Sequence, residues 1–381
     1  MELSLVLKKS YLQPSKRLTA MSKRVLIGMS GGIDSTVAAI LLLEQGYELV
    51  GATFRTFDVN KDAELSNTKG CCSEDSITAA QKMAQLLGIE HHVLDFRDTF
   101  RQYVIGNFVS EYAAGRTPNP CVMCNSHIKW GKLLEAADMY GCDFVATGHY
   151  AQIAEQRGHL YLKNAVDTIK DQTYFLWMLT EENLRRTIFP LGGLTKTQVR
   201  QIAFEHGHVE LSKKAESQDI CFIPNNDYRT FLAEQGLHVE PGNYIDSEGK
   251  VLGSHCGFCN YTIGQRKGLG IALGVPKHVL KIDPKTNTVM LGDHDDLLTY
   301  DVYADQIRIR DLKWLADSPQ VTARIRYKSP AVPATLQLVS ITNHQSPIAH
   351  LHFDQPVWGV TPGQSVVIYK DGLLVGGAII Q

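Results

Sequence analysis

The chain has 381 residues, 38 basic and 40 acidic side chains, a net charge of −2 and 44% apolar residues. Such a length allows two or three domains with real cores; the near-neutral balance excludes a chain-wide basic signal, so any RNA site must be a local patch; no apolar run approaches the ~20 residues of a membrane span. Eight cysteines over so long a chain make no small disulfide framework, which, with no signal-peptide core, points to a reducing cytoplasm where thiols are catalytic, metal-bound or buried.

Met1–Ser22 is basic, holds a single acidic residue and lacks a strong period, so it reads as a flexible extension with Met21 as an alternative start. Lys23–Ser35 follows, Lys-Arg-Val-Leu-Ile-Gly-Met-Ser-Gly-Gly-Ile-Asp-Ser. Val25, Leu26 and Ile27 form a buried strand. A Ser-Gly-Gly turn comes next, and Thr36–Glu44 is helical through the stripe Val37, Ile40, Leu41 and Leu43, stopped by Gly46. Strand, glycine turn and helix make an anion site, because the turn's N–H groups and the positive end of the helix dipole converge. Gly31 and Gly32 let a phosphate approach the backbone, and Ser30 and Ser35 add hydroxyls. Asp34 would stand beside the phosphates, which is repulsive unless it helps bind Mg2+ or orients the turn. A Walker A loop needs Gly-Lys-Ser/Thr and a Rossmann fingerprint needs Gly-x-Gly-x-x-Gly; both are missing here. The Ser-Gly-Gly-x-Asp-Ser order resembles the PP-loop ATP pyrophosphatases. Those enzymes cleave ATP between the α- and β-phosphates and adenylate a substrate oxygen.

Tyr47–Phe54 reads as a second strand and Arg55–Asp75, with the pair Cys71-Cys72, as a polar loop. Ser76–Leu87 is an amphipathic helix, Glu90–Asp95 a strand, and Thr99–Ala114 a helix broken by Gly115–Pro120. Ile128–Tyr140 is helical, and Asp143–Thr147 is a strand ending in Gly148-His149-Tyr150. Alternation of strands and helices predicts an α/β domain with a doubly wound parallel sheet. Ligands of such sheets lie beyond the carboxyl ends of the strands, where Ser30–Ser35, Phe54 and Gly148-His149 would meet. Leu176–Leu184 and Thr195–His206 are further helices, and Ser217–Ile223 a short strand or turn.

From about Pro224 the segments shorten and glycine turns multiply, with a basic run at Gly264–Gly268. From about Tyr300 the pattern is alternating β: Val321–Tyr327, Ala334–Val339, Ser365–Lys370 and Leu373–Ile380, the last two joined by an Asp371-Gly372 hairpin turn. The expected organisation is an extension (1–22), an ATP-binding α/β domain (23–224), a small central domain (225–297) and a C-terminal β-barrel (298–381).

Two cysteine motifs carry chemistry. In Asn119-Pro120-Cys121-Val122-Met123-Cys124-Asn125 the prolines define a non-helical loop just before a helix, and Cys124, at that helix N-terminus, is a candidate thiolate. Cys221 sits in Ser217-Gln218-Asp219-Ile220-Cys221-Phe222-Ile223, where a buried small hydrophobe is the bland reading. Cys121 and Cys124 could pair with Cys256 and Cys259 on zinc, but the two halves are far apart for such a site. Arg324, Arg326 and Lys328 alternate onto one strand face, suited to a phosphate track or merely to solvent.

Together Gly28–Ser35, Gly115–Asn125, Ala146–Tyr150, Lys170–Leu176, Ser217–Ile223 and Tyr261–Ile271 resemble the tRNA-specific 2-thiouridylases, from about Lys23 to the C-terminus. The resemblance implies ATP on Gly28, Met29, Ser30, Gly31, Gly32, Ile33, Asp34 and Ser35, with Mg2+, and with Phe54 and Gly148 near the adenosine; the family usually has Met at the Phe54 position. It implies Asn119, Pro120 and Cys121 at the flipped wobble uridine, and His149, Lys170, Asp171, Gln172, Arg326, Tyr327 and Gln364 on tRNA. Adenylation turns the poor uracil 2-oxygen into a leaving group. By the same resemblance Cys221 would carry a persulfide from a sulfur donor, a cysteine desulfurase or a relay protein, and Cys124 would attack the bridge, ending in a Cys124–Cys221 disulfide. Some members have Asp where this chain has Cys121, so Cys121 is an acid/base or, with Cys124 and Cys221, a ligand of a 4Fe–4S cluster. The persulfide route is preferred. The rivals are a PP-loop ligase or amidotransferase and an RNA-binding module with structural ATP.

Overall fold

The computed structural model describes residues 23–57, 74–213, 220–223, 227–339 and 347–381. The extension 1–22, the Cys71-Cys72 pair and Ser217–Asp219 lie outside the described residues. The chain divides into two compact units, one of residues up to Thr99 with Asn125–Phe222, the other of Phe100–Cys124 with Ile223–Gln381. Among the described residues no helix is long and apolar enough to cross a membrane.

The first unit is built on a parallel sheet in the order β3-β2-β1-β4-β7: β1 (Arg24–Gly28), β2 (Glu48–Arg55), β3 (Glu90–Asp95), β4 (Phe144–Ala146) and β7 (Thr187–Ile188). Val25, Leu26 and Ile27 are wholly buried, because both faces of β1 are covered. Val25 and Ile27 face a core shared with α1 (Ile33–Glu44), α2 (Glu74–Leu87) and α4 (Lys196–Glu205). On the other side α3 (Leu133–Met139) packs on β1 and β4. The sheet is therefore doubly wound. Its order runs outward from β1 through β2 to β3 and then reverses to β4, so the switch point lies between β1 and β4. The turn after β1 and Thr147–Tyr150 after β4 both emerge there.

α1 begins at Ile33, three residues earlier than its apolar stripe suggests, with Gly32 as N-cap. Asp34 and Ser35 thus lie in the first helical turn rather than in the loop. A hairpin that the periodicity does not reveal, β5 (Gln152–Gln156) and β6 (His159–Lys163), turns through Arg157 and Gly158, both at positive φ. The expected helix over Leu176–Leu184 is instead a 3-10 turn at Thr173–Leu176 and a short helix, Glu181–Arg185. Thr180 and Asn183 form a capping box that starts the chain afresh at that point.

In the second unit β8 (Gly242–Ile245), β9 (Val251–His255), β10 (His278–Asp283) and β11 (Thr288–Gly292) make a small sheet in the order β10-β11-β8-β9. Six antiparallel strands then close a barrel: β12 (Leu298–Ile309), β13 (Gln320–Arg324), β14 (Val332–Val339), β15 (Ile348–Trp358), β16 (Ser365–Lys370) and β17 (Leu373–Ile380). The order is β12-β15-β14-β13-β16-β17, with β12 pairing again to β17. β12 serves both neighbours because register shifts after Thr299 and Asp305 bend it around. Asp371 and Gly372 both have positive φ and form the expected hairpin turn. One expectation fails here. β13 ends at Arg324, and Arg326–Ser329 is a turn closed from the Ser329 N–H to the Arg326 carbonyl at 3.1 Å. Arg324, Arg326 and Lys328 therefore do not share a strand face, since the alternation stops where the strand does.

A methyl group on Gly192 would overlap the Ala151 carbonyl oxygen, whereas one on the adjoining Gly193 would meet open space. Gly192→Ala is expected to lower the stability of the first unit by ~1–3 kcal/mol, read as an earlier midpoint in urea, with Gly193→Ala as the near-neutral control.

Candidate functional site

The glycine turn is shaped by contacts that only its own residues permit. Gly31 has φ of +66°, and a Cβ there would lie 2.7 Å from Ala79 Cβ and 3.0 Å from the Ala80 nitrogen. The Ser35 hydroxyl donates to the Gly32 carbonyl at 3.1 Å and accepts the Ser30 N–H at 3.2 Å, which closes the loop on itself. Met29 is buried, with its N–H on the Ala52 carbonyl at 2.8 Å. Ile33 is buried beneath the turn. The Phe54 ring and Thr147 flank Gly28, each 3.7 Å from where a Cβ would stand. Gly148 passes so near the turn that a Cβ would lie 2.8 Å from the Ser35 nitrogen. Gly28–Ser35, Phe54 and Gly148 are thus gathered at the switch point, at the N-terminus of α1, whose dipole favours an anion.

Asp34 stands in the mouth of this turn and is answered by two groups that sequence reasoning missed. Lys196 Nζ lies 2.7 and 2.8 Å from its two carboxylate oxygens, and the Tyr150 hydroxyl donates to Oδ1 at 2.8 Å. Lys196 is only 8% exposed, although a lysine side chain is seldom buried without a partner. It is the first residue of α4, behind a Thr195–Gln198 capping box, and its N–H donates to Asp167 Oδ2 at 2.8 Å. The capping box was the available signal for the helix start; nothing local announced the ion pair, which spans 162 residues.

Gln172 clasps Tyr150 reciprocally: the Tyr150 N–H donates to its side-chain oxygen at 2.9 Å, and its own N–H donates to the Tyr150 carbonyl at 2.9 Å. Asp171 is buried and accepts from the Ala165 N–H at 3.0 Å and the Thr173 hydroxyl at 2.8 Å. Lys170 is partly exposed at the end of a turn whose neighbour Ile169 is 84% exposed. His149 is buried between Thr147, Lys129 and the rings of Trp130 and Phe189. Lys129 Nζ lies 3.2 Å from Nε2 and the Thr147 hydroxyl 2.8 Å from Nδ1. An ammonium only donates, so Nε2 accepts and the proton sits on Nδ1. Burial, and then the charge of Lys129, hold the imidazole well below its ordinary range.

Around the cysteines the helix starts earlier than expected. Asn119 is the N-cap, accepting the Val122 N–H at 3.4 Å, and Pro120 is the first helical residue. Helix runs over Pro120–Met123, continues as wider π-helical turns over Cys124–Lys132, and passes into α3. Exposed Cys121 therefore occupies the first turn, and partly exposed Cys124 sits one turn inside, not at the N-terminus. Proline is compatible with a first turn, so Pro120 opens the helix instead of barring it. The Gln364 amide donates to the Thr117 and Pro118 carbonyls at 2.9 Å each, steadying the approach to Asn119. Cys221 lies in a short turn, partly exposed, before buried Phe222. Burial pushes the Cys259 thiol up; Cys256 is exposed.

In the second unit Arg326 Nη2 donates to the Ile263 carbonyl at 3.1 Å, the Gly359 carbonyl at 2.6 Å and the Thr361 hydroxyl. Its guanidinium lies over the Trp358 ring. It borders a cavity of about 580 Å³ that Arg229, Thr262 and Gln265 also line. Tyr327 follows in the same turn.

Residues 23–225 match the family model described as tRNA methyl transferase HUP domain, 229–293 the corresponding PRC-barrel domain, and 304–380 the aminomethyltransferase beta-barrel domain. The tRNA-specific 2-thiouridylase MnmA of Amoebophilus asiaticus is 44% identical over 363 residues, 94% of this chain and 95% of that one. The protein of the same description from Clostridium perfringens is 45% identical over 360 residues, 94% of this chain and 98% of that one. Among solved structures, a 4-thiouridine synthetase–RNA complex with bound ATP aligns over 56% of this chain and 50% of its own, at 19% identity and a TM-score of 0.36, too low to bear on the fold.

A ring held neutral in the folded state and titrating near 6.5 when unfolded contributes stability that is fully present above 6.5 and declines as pH falls below it. His149 imidazole nitrogen resonances should keep their neutral values as pH is lowered through 6.5, and His149→Asn should flatten the acid-side loss of stability. In the second unit, Gln364→Ala should cost ~1–2 kcal/mol by stripping two carbonyls of their donor, measured by thermal unfolding.

Proposed function

The chain belongs to the tRNA-specific 2-thiouridylase family, and we propose that it uses ATP to replace the 2-oxygen of a tRNA wobble uridine by sulfur, releasing AMP and pyrophosphate. The observation that carries this reading is the glycine turn at the switch point, Ser30–Ser35, with Phe54 and Gly148 against it, a geometry suited to polyphosphate. A site of that kind suits activation of an oxygen by adenylation. Thiols elsewhere in the chain then supply the nucleophile that methyl transfer, the chemistry in the family model's description, would not use.

The uracil 2-oxygen attacks the α-phosphorus, and pyrophosphate leaves. The terminal sulfur of a Cys221 persulfide adds to carbon 2, and AMP departs with the former 2-oxygen. The Cys124 thiolate attacks the Cys221 sulfur of the resulting bridge, forming the Cys124–Cys221 disulfide and leaving 2-thiouridine. An external thiol reduces that disulfide, and a cysteine desulfurase or relay protein restores the persulfide. Asn119, Pro120 and Cys121 take the flipped base, Cys121 as acid/base. Mg2+, when bound, neutralises polyphosphate charge, and the Asp34 carboxylate is the group suited to hold it. In the alternative route a 4Fe–4S cluster would be held by Cys121, Cys124 and Cys221 and would present sulfur at an open iron.

For tRNA, we assign direct contact to Lys170, Gln172, Arg326, Tyr327 and Gln364. Buried His149 and Asp171 serve by shaping the surface around them. ATP chemistry falls to residues 23–224, linkage to 225–297 and further tRNA contact to the barrel at 298–381. A cytoplasmic setting brings tRNA, ATP and reduced thiols together.

The test is thiolation of unmodified lysine, glutamate or glutamine tRNA under anaerobic conditions with ATP, Mg2+ and a sulfur source, read as retardation in a mercury-containing gel. A retarded band should require ATP and vanish in Cys221→Ala and Cys124→Ala. No band with a competent donor, in samples both with and without reconstituted iron, would sink the reading and favour a ligase or amidotransferase. Formation of neither AMP nor pyrophosphate, with tRNA still bound, would favour the binding module.

A further inference from the structure

We infer that Lys196 is a polyphosphate-binding residue of the ATP site, held by Asp34 until the β- and γ-phosphates arrive; the inference rests on the ATP reading above. The turn places a carboxylate where several negative charges must land. Left alone, Asp34 would repel them. In this structure its charge is balanced by Lys196 Nζ at 2.7 and 2.8 Å, with the Tyr150 hydroxyl as a further donor at 2.8 Å. The Lys196 side chain is 10% exposed and the Asp34 side chain 35%, so the ammonium is kept largely from water beside an anion that remains open to solvent.

The backbone of Lys196 cannot wander. Its N–H is tied to Asp167, and the Thr195–Gln198 box fixes the first turn of α4. Its ammonium can move, since a lysine stem has four rotatable bonds and three donors with no fixed fork. The Tyr150 backbone is clasped by Gln172, and its hydroxyl gives Asp34 a donor that does not depend on the ammonium. The arriving phosphates therefore meet a cation already desolvated and aimed, while Asp34 is released toward a metal ion. The alternative is a purely structural pair that pins α4 to the turn of α1.

Affinity for ATP against AMP separates the two, because AMP fills the adenosine and α-phosphate positions but lacks the outer phosphates. By calorimetry, Lys196→Met should weaken ATP by about tenfold, the scale of one charge-assisted hydrogen bond, and leave AMP within about twofold. Lys196→Arg should recover part of the ATP loss, and Asp34→Asn, which frees the ammonium and removes the repulsion, should tighten metal-free ATP. Circular dichroism and melting temperature check that each variant is folded. Equal weakening of ATP and AMP, or no change in either, overturns the inference. Wild-type protein that binds neither nucleotide overturns instead the ATP reading on which it stands.

Discussion

A negative side chain inside an anion site is the constraint around which the first unit is arranged. The turn after β1 offers N–H groups and a helix dipole to phosphate, yet it carries Asp34. Without a cation that carboxylate would leave an uncompensated negative charge beside the turn. The chain answers with Lys196, brought from 162 residues away, and with Tyr150 from the loop after β4. Both residues depend on structure further out: Lys196 on Asp167 and the cap of α4, Tyr150 on Gln172. One charge thus organises α1, the loop after β4, the 164–173 segment and α4.

Two residues picked out by family resemblance, Asp171 and His149, are buried with their polar groups satisfied. Asp171 accepts from an amide and a hydroxyl, while partly exposed Gln172 accepts the Tyr150 N–H on its side-chain oxygen and donates its own N–H to the Tyr150 carbonyl. His149 is locked in one tautomer by a lysine on one nitrogen and a threonine on the other. A polar group satisfied in this way costs little to bury but is expensive to disturb. Such residues hold the backbone around them in place.

In the second unit the analogous fasteners are Gln364 and Arg326. Gln364 supports the carbonyls of Thr117 and Pro118, the residues that deliver Asn119 and Pro120 to the first helical turn. Arg326 draws Ile263, Gly359 and Thr361 to one nitrogen. Barrel closure from β12 to β17 leaves no edge between those strands to fray, so these polar ties rest on a rigid frame.

Much of this was legible in the chain itself. Val25–Ile27 with Ser-Gly-Gly-x-Asp-Ser predicted a strand, a glycine turn and a helix, which the structure has, because that geometry is local. Alternating strands and helices gave the doubly wound sheet, and Asp371-Gly372 the last hairpin, because period and turn chemistry act over a few residues. The cysteine motifs were visible by composition and order. Other features were not local. The helix at Pro120 rather than Ile128 depends on an Asn119 cap that competes with a loop reading of Pro118 and Pro120. The end of β13 at Arg324 depends on the Ser329 turn overriding alternation. The Asp34–Lys196 pair follows from strand order, which brings the start of α4 to the end of β1; a sequence lists both charges but holds no term for their distance. Tertiary structure decided which polar residues are buried and hold the chain, as Asp171 and His149 do, since burial is set by packing between elements distant in sequence.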